Sequence, residues 1–104
     1  IVTEYEPGEG IRPHIDAPVF ADVIAGVTLG AGCVMEFRRT GHATEAVLLE
    51  PGSVVVLSGE ARHEWQHAIP ARVDDDWNGR GLRRSRRVSL TFRKMRQAGE
   101  MVRR

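Results

Sequence analysis

At 104 residues, 41% hydrophobic and 28% charged, the chain holds one domain with one core and has the balance of an ordinary soluble globular protein. A single cysteine, Cys33, excludes an internal disulfide and any cysteine-built zinc cluster, and no apolar run approaches the roughly 20 residues of a membrane span. The net charge of +1 is unevenly spread: residues 1–79 set 5 arginines against 13 acids, and residues 80–104 set 10 arginines and lysines against one acid.

Residues 1–5 alternate and carry β-branched side chains, which predicts a short strand. Pro7-Gly8-Glu9-Gly10 is turn chemistry. Residues 11–16 form the next extended piece, with Pro13 marking an edge or rim strand. Pro18 breaks residues 17–22 into a loop. Two strands over 23–29 and 33–38 are joined by a tight Gly30-Ala31-Gly32 connection, and 39–44 make a polar hairpin loop. A strand over 45–49 leads to the Pro51-Gly52 turn. The run Val54-Val55-Val56-Leu57 predicts a strand over 53–57 buried on both faces. Residues 59–66 suit a single helical turn, 67–72 a short extended piece and 74–79 a loop. The last strand spans 86–93, and 97–104 form a short helix or a disordered end. About eight short strands with Gly/Pro turns predict an all-β sandwich or barrel, of which the jelly roll carries metals in its mouth.

The chemistry centres on His14-Ile15-Asp16. In an extended segment, residues two apart face the same side, so His14 and Asp16 present an imidazole and a carboxylate to one point. His67, in Trp65-Gln66-His67-Ala68-Ile69, can supply a third ligand from a distant strand. Two histidines and a carboxylate with open positions suit non-haem Fe(II) oxygenases; the same three ligands and a water suit a zinc hydrolase. His42 lies in a glycine loop, and His63 sits earlier in the helical turn. In Arg87-Val88-Ser89-Leu90-Thr91-Phe92-Arg93, the apolar Val88, Leu90 and Phe92 share a face that belongs in the core. Arg87, Ser89, Thr91 and Arg93 share the other. That face either meets water or meets an anion inside the barrel, and a dicarboxylate such as 2-oxoglutarate matches arginine's planar fork. The remaining basic end is read as a solvated face.

Further pieces occur in a telling order. Tyr5-Glu6-Pro7-Gly8-Glu9-Gly10-Ile11-Arg12-Pro13-His14-Ile15-Asp16 is followed by Val27-Thr28-Leu29-Gly30 and Leu49-Glu50-Pro51-Gly52-Ser53. Then come Gly59-Glu60-Ala61-Arg62, Trp65-Gln66-His67 and the Arg87 to Arg93 ending. Over about nine tenths of its length, the chain resembles the AlkB-like family of Fe(II)/2-oxoglutarate dioxygenases. The resemblance implies a double-stranded β-helix (jelly roll) with little helix, and residues 1–104 as a catalytic core. It implies Fe(II) on His14, Asp16 and His67, with 2-oxoglutarate and O₂ as cosubstrates. Arg87 would pair with the distal carboxylate, helped by the Tyr5 hydroxyl and Ser89, and Arg93 would lie near the carboxylate beside the keto group. The implied reaction is oxidative demethylation of N-methyl groups on alkylated nucleic acid (DNA, RNA or tRNA) or methylated protein. A base in a duplex would be flipped out.

Two departures stand out. Thr3 replaces a frequent asparagine, and the N-terminal segment that often covers substrate is missing, consistent with a fragment or trimmed domain that begins at Ile1. Arg12, Arg38, Arg39, Arg83, Arg84 and Arg86 are candidates for phosphate contact, and Trp77 for base stacking. The expected state is a cytoplasmic monomer with no membrane partner; the lone cysteine favours a reducing compartment. The competing functions are a metal-binding jelly roll without catalysis and a zinc hydrolase.

Overall fold

The computed structural model describes residues 1–97; the end segment expected over 97–104 falls, after Gln97, outside them. The described elements are β1 (Val2–Tyr5), β2 (Ile11–His14), β3 (Phe20–Gly30), β4 (Cys33–Arg38), β5 (Glu45–Leu49), β6 (Val54–Leu57), α1 (Gly59–His63), β7 (Gln66–Ile69), β8 (Asp74–Trp77), β9 (Arg80–Arg83) and β10 (Arg87–Met95). Eight strands make two antiparallel four-stranded sheets, ordered β1-β10-β3-β6 and β2-β7-β4-β5, and β8-β9 forms a separate hairpin. Side chains from both sheets line one cavity of about 210 Å³ between them. The fold is the expected all-β jelly roll, with helix confined, among the described residues, to the five residues of α1.

Alternation along the strands decides what enters that cavity, and here one expectation is reversed. Arg87, Ser89, Thr91 and Arg93 of β10 line the cavity, together with Thr28 and Gly26 of β3 and Thr3 of β1. Val88, Leu90 and Phe92 face outward, and Phe92 is 59% exposed. The gap between the sheets is a polar pocket at this wall, so the polar face of β10 turns in. The apolar packing comes mainly from the other sheet: Cys33, Met35, Leu49 and Ile69 are buried, with Ile11, Phe37 and Val55 against them. Burial pushes the Cys33 thiol pKa up, so it behaves as a small apolar side chain, not as a nucleophile.

The strand over Val54–Leu57 is buried on one face only. It is the edge of its sheet; Val55 and Leu57 face the cavity, while Val54 and Val56 are 59% and 55% exposed. Cross-strand register then lines up Val54, Val27, Leu90 and Val2 in one row across the outer face.

Residues 74–79, expected as a loop, instead contribute β8 and the tight turn into β9. Asn78 and Gly79 both have positive φ, 52° and 81°, the combination a two-residue hairpin turn needs and Asn-Gly supplies most readily. The hairpin is anchored by Asp75, whose carboxylate takes Arg84 Nε at 2.7 Å, Arg84 Nη2 at 2.9 Å and Arg72 Nε at 2.9 Å. Arg84 is therefore a buried structural residue, neither a solvated charge nor a rim contact.

Burial alone would push the Asp75 pKa up, but the hydrogen bonds from Arg84 and Arg72 outweigh it and hold the carboxyl below its usual range. Asp75→Ala leaves Arg84 buried and unpaired, a change worth about 3–5 kcal/mol at neutral pH, measurable by denaturant titration. A depressed carboxylate contributes above its unfolded pKa, about 3.9, and loses that contribution as pH falls through the lower folded value. The gap between parent and variant should therefore close on acidification below about pH 4.

Candidate active site

Two strands and the segment that follows β2 meet at one end of the cavity. β2 pairs with β7 so that His14 stands opposite His67, and their rings lie 4.2 Å apart, tilted by 55°. The chain leaves β2 after His14, and Asp16, two residues on, turns its carboxylate into the same point, 7% exposed. His14 Nε2 is 3.1 Å and His67 Nε2 3.6 Å from Asp16 Oδ1. One ligand atom from each residue lies within 4.8 Å of the other two, which fits two imidazoles and a carboxylate closing on one ion.

The surroundings prepare these groups to bind. The Arg12 carbonyl lies 2.7 Å from His14 Nδ1; a proton on that nitrogen leaves the Nε2 lone pair facing the ion position. Burial, followed by the neighbouring His14, lowers the His67 pKa, so its imidazole is neutral at neutral pH, as a metal ligand must be. Arg93 Nη1 sits 3.2 Å from Asp16 Oδ2, and its guanidinium lies over the Phe20 ring, 4.2 Å from the centroid. One carboxylate oxygen is thus held by Arg93 while the other faces the histidines.

Gly10 sets the spacing of β2 from β7. A methyl there would overlap the Ile69 carbonyl oxygen and stand 2.8 Å from Ala71 N, both backbone atoms. Gly10→Ala should therefore pry apart the strand pair that carries His14 and His67, lowering both the thermal midpoint and the metal affinity in a metal titration.

At the other end of β10 lies Arg87. It is 6% exposed, lines the same cavity and stacks over the Tyr5 ring at 5.1 Å. Its Nε is buried without a hydrogen-bond partner, and among the described residues no carboxylate pairs with it. A buried guanidinium in that state is a strong attractor for an anion. Ser89 and Thr3 face each other across β10 and β1 and line the wall between the two ends. The cavity is below the ~300–1,000 Å³ of drug-sized pockets, which suits a small dicarboxylate.

The other polar candidates fall elsewhere. His63 pairs with Asp22 at 3.0 Å, and His42 stacks on Trp65 at 5.3 Å. Arg38 binds Glu36, Arg39 binds Glu64, Arg83 binds Asp74 and Arg86 binds Glu4. Arg12 is exposed beside His14. Trp77 is half-buried on the hairpin. Phe20 and Arg62 were not expected at the site: residues 17–22 read as loop because of Pro18, and Arg62 was named only as the end of the Gly59-Glu60-Ala61-Arg62 piece, with no role given to it.

A family profile described as the 2OG-Fe(II) oxygenase superfamily matches residues 1–93. The chain belongs to that superfamily. The oxygenase is 41% identical over 96 residues to Uncharacterized protein L905 of Acanthamoeba polyphaga mimivirus, covering 89% of this chain and 46% of that protein. It is 40% identical over 115 residues to the Alkylated DNA repair protein ALKBH8 homolog of Arabidopsis thaliana, covering 91% of this chain and 33% of that one. It is 35% identical over 97 residues to the Alpha-ketoglutarate-dependent dioxygenase alkB homolog 7, mitochondrial, of Bos taurus, covering 90% and 44%. These relatives make it AlkB-like, and the matched region is that of a 2-oxoglutarate- and Fe(II)-dependent dioxygenase. The oxygenase spans less than half the length of each of these three relatives.

Proposed function

We propose that the oxygenase demethylates alkylated nucleic acid, hydroxylating N-methyl groups that then leave as formaldehyde. The observation that carries the dioxygenase chemistry is Arg87, a buried guanidinium with an unpartnered Nε in a cavity whose other end holds His14, Asp16 and His67. A zinc hydrolase has no use for that cation. His14, Asp16 and His67 would hold Fe(II) by one face. Arg87 would take the distal carboxylate of 2-oxoglutarate through its fork, with the Tyr5 and Ser89 hydroxyls beside it, and Thr3 adding a hydroxyl donor at the same wall. Arg93 would fix Asp16 in its binding pose and bring positive charge toward the carboxylate next to the keto group. When bound, Fe(II) and 2-oxoglutarate supply the oxidising power, drawing on O₂ and yielding succinate and CO₂.

Two features support nucleic acid as the substrate. The Arabidopsis relative is named an alkylated DNA repair protein, and the exposed Arg12, next to His14, has no acidic partner among the described residues. The deciding experiment supplies Fe(II), 2-oxoglutarate and O₂ with N-methylated RNA, DNA and peptide in parallel, and measures succinate and formaldehyde. Formaldehyde from a nucleic acid, with a KM that rises with salt as phosphate contact requires, is the expected result. Formaldehyde from the peptide alone would move the substrate to protein. Absence of succinate with every substrate would leave a metal-binding module without this catalysis.

A further inference from the structure

We propose that Arg62 positions the metal site, by fixing the backbone that carries Asp16 to the helix that leads into His67. This rests on His14, Asp16 and His67 being the metal ligands.

Arg62 is the fourth residue of α1 and is 2% exposed. Its guanidinium reaches four backbone carbonyls of one short segment: Nη1 donates to Asp16 O at 3.0 Å, Nη2 to Ala17 O and Phe20 O at 3.1 Å each, and Nε to Ala21 O at 3.1 Å. Guanidinium has five N–H donors in a rigid plane, and here four hydrogen bonds converge on six consecutive residues. The turn they enclose is closed by Phe20 N donating to Ala17 O at 3.1 Å. Residues 16–21 are in effect wrapped around one side chain.

Both ends of that wrap matter to the ligand. Asp16 supplies the carboxylate. Phe20 supplies the ring under Arg93, and Arg93 holds Asp16 Oδ2. From the other side, α1 runs through Glu64 and Trp65 into β7, which presents His67. Ligands 51 positions apart in sequence (16 and 67) are thereby tied by a single guanidinium. Lysine cannot replace it, because an ammonium is a point donor on a flexible stem and cannot span four carbonyls in a plane.

The test uses metal binding without turnover. Mn(II) and Co(II) titrations of Arg62→Lys are compared with the parent and with Val34→Ala, which opens a cavity at a fully buried valine away from the ligands. Arg62→Lys should fold, weaken Mn(II) by about 10–100-fold as loss of a ligand's support typically does, and change the Co(II) absorption spectrum. Val34→Ala should lose thermal stability with Mn(II) affinity within about twofold of the parent. An Arg62→Lys protein with parental Mn(II) affinity and Co(II) spectrum would overturn the proposal and leave Arg62 a purely structural residue. If Arg62→Lys does not fold, the parent decides. The Arg62 Nε–H resonance should shift on adding diamagnetic Zn(II), and an unmoved resonance would overturn the link. A parent that binds no metal would instead overturn the ligand assignment itself.

Discussion

Asp16→Asn should leave a folded jelly roll that no longer holds a metal ion or makes succinate. The amide is the same shape, but it cannot supply the negative charge that two neutral imidazoles need to hold a divalent cation. It also removes the acceptor charge for Arg93, now 3.2 Å from Asp16 Oδ2. The loss in Mn(II) affinity should exceed the roughly 10–100-fold typical of a residue that only supports a ligand, and calorimetric titration would read it directly. His14→Ala and His67→Ala should behave alike, since each removes one of three donors. Retained succinate production in Asp16→Asn would show that the three residues are not the ligand set.

Arg87→Met should separate the cosubstrate from the metal. Truncating one side of a buried, hydrogen-bonded charge pair costs roughly 2–5 kcal/mol, so 2-oxoglutarate affinity should fall by about 30-fold or more, at roughly 1.4 kcal/mol per tenfold. Mn(II) affinity measured without 2-oxoglutarate should stay at the parent value, because Arg87 touches none of the three ligands. Stability should move the other way from most arginine deletions. In the ligand-free protein Arg87 is buried with its Nε unsatisfied, so an apolar side chain of similar length should leave the thermal midpoint unchanged or raised. An unchanged 2-oxoglutarate affinity would place the dicarboxylate elsewhere in the cavity. Arg87→Lys should fall between the two, keeping the charge and losing the fork.

How far the sequence revealed this site varies from residue to residue. His14 and Asp16 were legible because their two-residue spacing is local: the strand expected over 11–16 ends at His14, yet the Asp16 carboxylate still reaches the His14 ring. His67 was separable from His63 because it lies past the helical turn, on what became β7. Arg87 was legible from the alternation of β10, but the side on which each face ends up was not. An apolar face normally goes inward, and here the interior wall is a polar pocket, so Val88, Leu90 and Phe92 went out. The valine run at 54–57 misled for a related reason: periodicity cannot distinguish a strand covered on both faces from an apolar edge strand. The Asn78-Gly79 turn carried a strong hairpin signal, masked by three aspartates that read as solvent-loving loop. Arg62 was marked only as part of the Gly59-Glu60-Ala61-Arg62 piece; its structural role was not legible, since it depends on four carbonyls contributed by a segment more than 40 positions away.

The outward row of Val54, Val27, Leu90 and Val2, with Val56 and Phe92 beside it, has a practical consequence at the bench. Dyes that brighten on apolar surface ordinarily report loosened, partly melted states. This chain offers such a surface while fully native, so dye-based melting curves should start bright and understate the transition. Tryptophan emission from Trp65 and Trp77 would follow it cleanly. Replacing Val56 and Phe92 with lysine and glutamate should darken the cold baseline without disturbing Mn(II) binding.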